Sequence, residues 1–418
     1  MGAGRLNSSA DKGRLYYGWI VLVACAILVI IASGMRFSFG VFFKPLATEF
    51  GLGRAVTSEI FSVYMVLSAI SMVAAGWALG RYHPRVVFSI IGFFAGLSLL
   101  LTSQANDLWH IFISYSLLLA VGTGSVYIQA ISLTMKWFDK NRGLAIGIVA
   151  SGMGTGIMLM TPFSAWLIDS YNWQTSYFLL AFLAFFIMIP LALLLKNAPR
   201  KPSLPNVENL NTKNSSVLDK VYYGRSVDFT LRQAARTANF WFIALVRFLL
   251  ACNVYLVLTH IVPHAIDLGI NPIQAASVLS LVGFGTLAGM LVLGKASDII
   301  GKKRTVVICL LVTSLSMLWP IWSSSLCVLY IFAILLGFFQ AGAGPAINSL
   351  IADVFGTRHI AVINGTLNAF WGIGAAVGPT LAGYIFDISG SYITAFLAGL
   401  VAVLISTVIA LFLRTSKA

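Results

Sequence analysis

Two arginines stand among apolar neighbours. Arg36 lies in the stretch IASGMRFSFGVFFKP (31–45), and Arg247 in ANFWFIALVRFLLACNVY (238–255). A guanidinium is always charged and presents a planar fork of N–H donors, which suits a carboxylate held through two parallel hydrogen bonds. Its charge left in hydrocarbon costs at least about 2.5–3.5 kcal/mol on insertion scales. Three fates are open to Arg36: an anion receptor in a water-filled cavity, a structural partner of carbonyls or of a neighbouring helix, or a side chain that snorkels to the surface. Counted back from Lys44, where the run ends, Arg36 is about 12 Å deep in helical rise, which favours a cavity. Arg247, counted from Trp241, is about 9 Å deep, so either a pathway or gate role or an interfacial role is open to it. Other polar side chains inside apolar runs are few: Asn253 and His260 follow Arg247, Gln340 lies in 326–352, and Asn368 and Trp371 lie in 360–386. These residues either complete a small polar pocket with an apolar wall or bond neighbouring helices.

None of the 13 Asp and Glu residues falls in the middle of an apolar run, which leaves histidine, His260 or His264, as the titratable candidate for proton coupling. A proton could also travel on the substrate, or an exchange could need none. His260 and His264 are four apart, but Pro263 intervenes and no metal-binding acid follows, so no zinc motif is formed. No nucleophile–base pair is present either. The expectation is a protein with neither enzyme activity nor cofactor.

The elements that must position these residues are membrane helices. The 418-residue chain is 59% hydrophobic and 10% charged, too apolar for a water-soluble core of that size. Twelve apolar runs are long enough to cross a bilayer, about 20 residues being needed for a hydrocarbon core of about 30 Å. They cover 17–43, 57–79, 86–104, 108–135, 143–168, 174–195, 240–267, 273–297, 305–323, 326–352, 360–386 and 392–413. The runs are continuous rather than alternating, so the fold class is all-α and not a barrel. The first run is too long for a signal-peptide core and is expected to remain as a helix.

The formal charge of +14 is topological. Of 27 Lys and Arg residues, 23 fall in the two tails and in every second connection, whereas Lys44 and Arg54 lie on the other side. The positive-inside rule then places both termini in the cytoplasm and the chain in a cell (inner or plasma) membrane, with anionic lipid rather than nucleic acid facing the basic side. The four cysteines lie within apolar runs without paired spacing, which predicts packing residues rather than disulfides or a metal site.

The polar stretch 196–236 separates the helices six and six, which predicts two bundles, 1–195 and 237–418, joined by a cytoplasmic linker. A single offset of 218 residues pairs Gly76 with Gly294, Arg85 with Lys303, Gly147 with Gly365, Gly154 with Gly372, Asp169 with Asp387 and Phe178 with Phe396. A constant register across six helices is a duplication, and an even number of helices per copy makes the repeats parallel. The spacing of Gly147, Ser151, Gly154 and Gly156 predicts close helix packing, and Gly76 and Gly294 predict further close approaches. Pro162 and Pro379 are expected to kink their helices.

Several segments resemble a known family. GWALGRYHPRVV (76–87) and GKASDIIGKKRTVV (294–307) are similar to the loop pattern of major facilitator transporters, with Gly80 where an acid is usual. KWFDKNRGLAIGIVASGMGTG (136–156), YYGWIVL (16–22) and FSFGVFFKP (37–45) resemble the monocarboxylate transporters and the bacterial oxalate/formate antiporters. The resemblance implies a twelve-helix carrier whose first, fourth, seventh and tenth helices surround a central path, with Arg36 pointing at the substrate and the Tyr127 hydroxyl near it. It also implies a small organic anion as substrate, a co-transported proton and a monomer. Basic residues that the antiporters carry in helices eight and eleven align with Met290 and Trp371, and the lysine of the monocarboxylate transporters' first helix aligns with Phe37. A single cavity cation suits one carboxylate better than two. Transport of a lactate- or pyruvate-like monocarboxylate is therefore expected, with dicarboxylate/monocarboxylate exchange or efflux of apolar compounds as alternatives.

Overall fold

The computed structural model describes residues 17–138, 142–198, 228–322, 325–356 and 358–413, so most of the linker expected at 196–236 lies outside the described residues. Among the described residues, twelve helices are long and apolar enough to span a membrane. The first six are α1 (Tyr17–Glu49), α2 (Arg54–Arg81), α3 (Pro84–Thr102), α4 (Leu108–Trp137), α5 (Arg142–Ser170) and α6 (Trp173–Leu194). The last six are α7 (Ala238–Asp267), α8 (Pro272–Ile300), α9 (Lys302–Trp322), α10 (Leu326–Phe355), α11 (Ile360–Ser389) and α12 (Tyr392–Phe412). Polar caps set several of their starts, within two residues of the apolar runs. Asp107, Asn172, Thr237, Asn271 and Ser391 accept backbone N–H bonds at the starts of α4, α6, α7, α8 and α12. Gly301 and Gly390, with φ of 98° and 68°, make the tight turns that follow α8 and α11.

The duplication read from the sequence reappears as paired contacts. Arg85 Nε donates to the Leu195 carbonyl at 2.9 Å, and Lys303 Nζ donates to the Leu413 carbonyl at 2.8 Å, so donor and acceptor both shift by the same register. Each basic side chain satisfies an orphan carbonyl at the end of the last helix of its half. The starts of α1 and α7 and the ends of α6 and α12 thereby define one face of the bundle, called the terminal face below. Large apolar side chains such as Val73, Phe186, Ile299 and Phe412 are exposed, as they would be against lipid.

The halves meet chiefly along α2 with α11 and α5 with α8, and the outer part of α1 also touches α7. A Cβ on Gly154 would lie 2.6 Å from the Gly283 carbonyl oxygen, and one on Gly283 would lie 2.6 Å from that of Gly154. Two backbones in contact leave no room for side chains. Gly156 likewise abuts α1, where a Cβ would stand 2.3 Å from the Ile30 oxygen. Gly147 and Gly294, in contrast, have nothing within 4 Å of the Cβ position, and Gly76 meets only the Gln129 amide at 3.4 Å. Packing therefore explains Gly154 and Gly156 of the α5 series and not Gly147 nearer the start of that helix, where close packing was expected.

Two irregularities shape the seam. Ser38 interrupts α1 two residues beyond Arg36; its Oγ donates to the Gly34 carbonyl at 2.7 Å, a back-bond that favours a bend. α4 winds wider over Phe112–Leu118 and breaks at Gly124–Ser125, where Gly124 presses on Ser68 of α2.

Candidate functional site

Between α1 and α7 the Arg36 guanidinium sits in an aromatic enclosure. Its carbon lies 4.9 Å from the Phe37 ring centroid, 5.6 Å from Tyr64 and 5.7 Å from Tyr255. Nη2 donates to the Tyr255 hydroxyl at 3.0 Å and to the Met65 sulfur at 2.9 Å, while Nε is buried without a partner. A thioether is a weak acceptor and a phenol a neutral one. Among the described residues no carboxylate pairs with this cation, so its charge is met only by ring faces, a phenol and a thioether. Tyr64 is fixed by a 2.7 Å bond between its hydroxyl and that of Thr123, and Tyr115 packs on Tyr64 with centroids 6.1 Å apart. The rigid side of the enclosure belongs to the first half. Its second side is Tyr255, in the other half, and Trp371 of α11 packs edge-on against that ring at 6.2 Å.

Tyr255, Met65 and Tyr64 complete the enclosure around Arg36 and were not singled out from the sequence. A tyrosine in an apolar helix carries no mark of its own; the available signal was that Tyr255 follows Arg247 on the helix predicted to line the path. Of the residues singled out from the sequence, the structure brings Arg36 and Trp371 together through Tyr255. Tyr127 is half-buried on α4, and its hydroxyl makes no hydrogen bond among the described residues. Gln340 is half-buried on α10 with Oε1 unpartnered. It shares a stripe with Gly344 and Asn348, both exposed. Asn368 is exposed on α11 and bonds Arg247 rather than Arg36.

Asn253 and His260 are placed elsewhere. Asn253 points at α12, where a Cβ on Gly399 would meet its Oδ1 at 2.5 Å, and neither amide atom has a partner. It lies two residues from Tyr255, a rotation of about 200° around the helix, which turns the two side chains to opposite faces. His260 is fully buried and engaged on both ring nitrogens. Nδ1 is 3.1 Å from the Tyr392 hydroxyl, and Nε2 is 2.9 Å from the Pro379 carbonyl and 3.1 Å from Ser58 Oγ. Phe43 covers the ring edge-on at 5.1 Å.

His260 belongs to a seal at the face opposite the terminal one. The Arg54 guanidinium grips Asp267 of α7 through bonds of 3.2 and 3.1 Å, and Lys44 pairs with the same carboxylate at 2.6 Å. Asp387 of α11 accepts the backbone N–H groups of Arg54 and Ala55 at 2.8 and 2.9 Å, so the N-terminus of α2 rests on a carboxylate. Ser62 bonds Thr380 at 2.8 Å one level further in. Gly383 fits under Arg54 and Gly40 under Leu258, with Cβ positions 2.5 and 2.8 Å from their carbonyl oxygens. Asp169, the repeat partner of Asp387, is exposed; α8 starts with Pro272, which has no N–H to offer it. Among the described residues, every hydrogen bond and ion pair joining the two halves lies between this seal and the Arg36 enclosure.

Two six-helix repeats fastened at one face, with a cation and unpartnered polar atoms along their seam, define a membrane transporter. The sequence profile of the Major Facilitator Superfamily matches residues 25–265 and 243–418, and the chain belongs to that superfamily. It is 25% identical over 383 residues to monocarboxylate transporter 13 of Rattus norvegicus, covering 91% of this chain and 85% of the relative. Against monocarboxylate transporter 12 of Homo sapiens it is 24% identical over 430 residues, covering 99% and 83%. Among solved structures, a bacterial homolog of the human lysosomal transporter Spinster, in an inward-facing and occupied conformation, superposes with a TM-score of 0.76 at 16% identity. That match covers 97% of this chain and 100% of the other. The protein is an integral membrane transporter related to monocarboxylate transporters, and not an enzyme.

Proposed function

We propose that the protein carries a small monocarboxylate, lactate- or pyruvate-like, by alternating access, with Arg36 as the anion receptor. The observation that carries this reading is a guanidinium at the meeting of the two halves that bonds only neutral groups and keeps Nε unpartnered. A carboxylate arriving there gains charge-assisted bonds that sulfur and phenol cannot match. Tyr255 and Trp371 form the wall contributed by the second half, and Tyr127 and Gln340 are further donors within the proposed cavity. Asn253 and His260 are left out, because each is turned to a different neighbour. The relatives' names support the substrate class. The two bundles, 1–195 and 237–418, rock about the site with the terminal face in the cytoplasm of a cell membrane, an orientation supported by the basic residues of that face.

Substrate and proton move together in this reading. A second reading, anion exchange, is favoured by the engagement of His260 on both nitrogens and by the use of Asp267 and Asp387 in the seal. Uptake of labelled lactate, pyruvate, acetate, formate and oxalate into proteoliposomes under imposed pH gradients separates the two. Acid outside drives net uptake in the symport, whereas in the exchange only preloaded anion does. Arg36→Gln loses transport at least a hundredfold, and Arg36→Lys, which keeps the charge without the fork, loses about tenfold. Wild-type rates in Arg36→Gln would end the receptor assignment.

A further inference from the structure

A second guanidinium lies within the second half, about 12 Å nearer the terminal face than Tyr255, eight residues along α7. Arg247 is held by three amides from two other helices. Its Nη2 donates to Asn348 Oδ1 of α10 at 2.6 Å and to Asn364 Oδ1 of α11 at 2.9 Å, and its Nη1 donates to Asn368 Oδ1. All three acceptors are neutral, and among the described residues no carboxylate pairs with Arg247. The positive charge is therefore oriented and left uncompensated.

The space beside this cluster is open. Asn348 and Asn368 are exposed, and the Cβ positions of Gly344, Gly365 and Gly372, each within one turn of these asparagines, meet nothing within 4 Å. Amides exposed to hydrocarbon would be costly, so this opening is a wet cleft rather than a lipid surface. The asparagines spend their carbonyl oxygens on Arg247, which leaves their NH2 groups as donors around the cation. On α11, Asn364, Asn368 and Trp371 follow at helical spacing along one stripe, and Trp371 is also the residue that touches Tyr255. Arg36, Tyr255, Trp371, Asn368 and Arg247 thus form a continuous line with a cation at each end and an aromatic partition between them.

We propose that Arg247 with Asn348, Asn364 and Asn368 is a second carboxylate site, a waypoint between the Arg36 receptor and the terminal face. The inference rests on the carboxylate reading of Arg36, but it concerns different side chains. A strut joining α7, α10 and α11 would use the same three bonds, and the two roles differ in one respect. A strut is indifferent to, or strengthened by, a carboxylate in place of an amide, whereas an anion site is closed by it. Asn368→Asp keeps the acceptor oxygen and supplies the missing counter-charge.

The test uses the purified full chain carrying Gly372→Cys, a position whose side chain enters the open cleft. Alkylation of residue 372 by a small maleimide is followed by peptide mass spectrometry with and without saturating L-lactate or acetate. In the Arg36→Gln background, which lacks the first receptor, the anion slows alkylation about threefold, and adding Asn368→Asp or Arg247→Gln restores the unprotected rate. Absence of protection in the Arg36→Gln background overturns the proposal, as does protection that survives Asn368→Asp. Where Arg36→Gln does not fold, the same comparison on the otherwise wild-type chain decides: protection unaltered by Asn368→Asp overturns it. Failure of the Arg36 assignment registers separately, as wild-type transport by Arg36→Gln.

Discussion

At the scale of the residue, the decisive property of Arg36 is what it lacks. A buried cation is normally accompanied by an acid, and here aromatic faces and a thioether stand in its place. Cation–π contact contributes about 0.5–2 kcal/mol per ring, enough to hold the side chain in place and too little to replace a counter-ion. Tyr255 plays two parts, presenting a ring face and a hydroxyl, and Tyr255→Phe separates them. In the proposed complex the Tyr255 O–H turns to the arriving carboxylate as a donor, and loss of that bond, about 1.5 kcal/mol, raises KM about tenfold with the enclosure intact. An unchanged KM in initial-rate uptake would mean that the hydroxyl is a spectator. Arg36 and Trp371 were legible in the sequence because each interrupts an apolar pattern or aligns with a family position. Tyr255 was not, since its relevance depends on which face α7 turns towards α1.

At the scale of the element, close approach of backbones sets the geometry. α5 and α8 touch at Gly154 and Gly283, and a larger residue there must push one half away from the other. Gly154→Leu overpacks this crossing and costs about 1–3 kcal/mol, read as a drop of several degrees in the melting temperature of the purified protein, with transport reduced in parallel. Gly147→Leu, on the same helix but facing open space, leaves the melting temperature unchanged. Equal effects of the two substitutions would contradict the packing account. The repeat read from a constant offset proved concrete at this scale: Arg85 with Leu195 and Lys303 with Leu413 are one contact made twice. The small-residue spacing was legible too, but the sequence could not say which glycines of a series face a neighbouring helix. That depends on the crossing point, which no local pattern encodes.

At the scale of the whole molecule, the two halves are joined by a polar latch at one face. Arg54, Lys44, Asp267 and Asp387 form it, at the end where the chain has its fewest basic residues. Lys44 and Asp267 are partly exposed, 29% and 27%, so their attraction is screened and the latch is weak enough to open in a transport cycle. Arg54→Gln removes the grip of Nη2 on the two Asp267 oxygens and shifts the population towards an open latch. Alkylation of Thr380→Cys, behind the latch, by a membrane-impermeant maleimide added at that face then rises severalfold, and raised salt has the same effect on the unsubstituted latch. A rate independent of both would show that the glycine contacts at Gly40 and Gly383, and not the charges, hold this face closed.

Composition and run length determined the solvent of this protein and the number of its helices, because both follow from the cost of placing backbone and charge in hydrocarbon, and a constant offset of 218 residues marked the two parallel copies. The sequence also exposed the anomalous arginines. Which side chains meet across the seam was decided only by tertiary structure. Rotation of α7 separated Tyr255 from Asn253 and committed His260 to the latch, and that rotation is fixed by packing against α11 and α12, distant in sequence, rather than by anything adjacent along the chain.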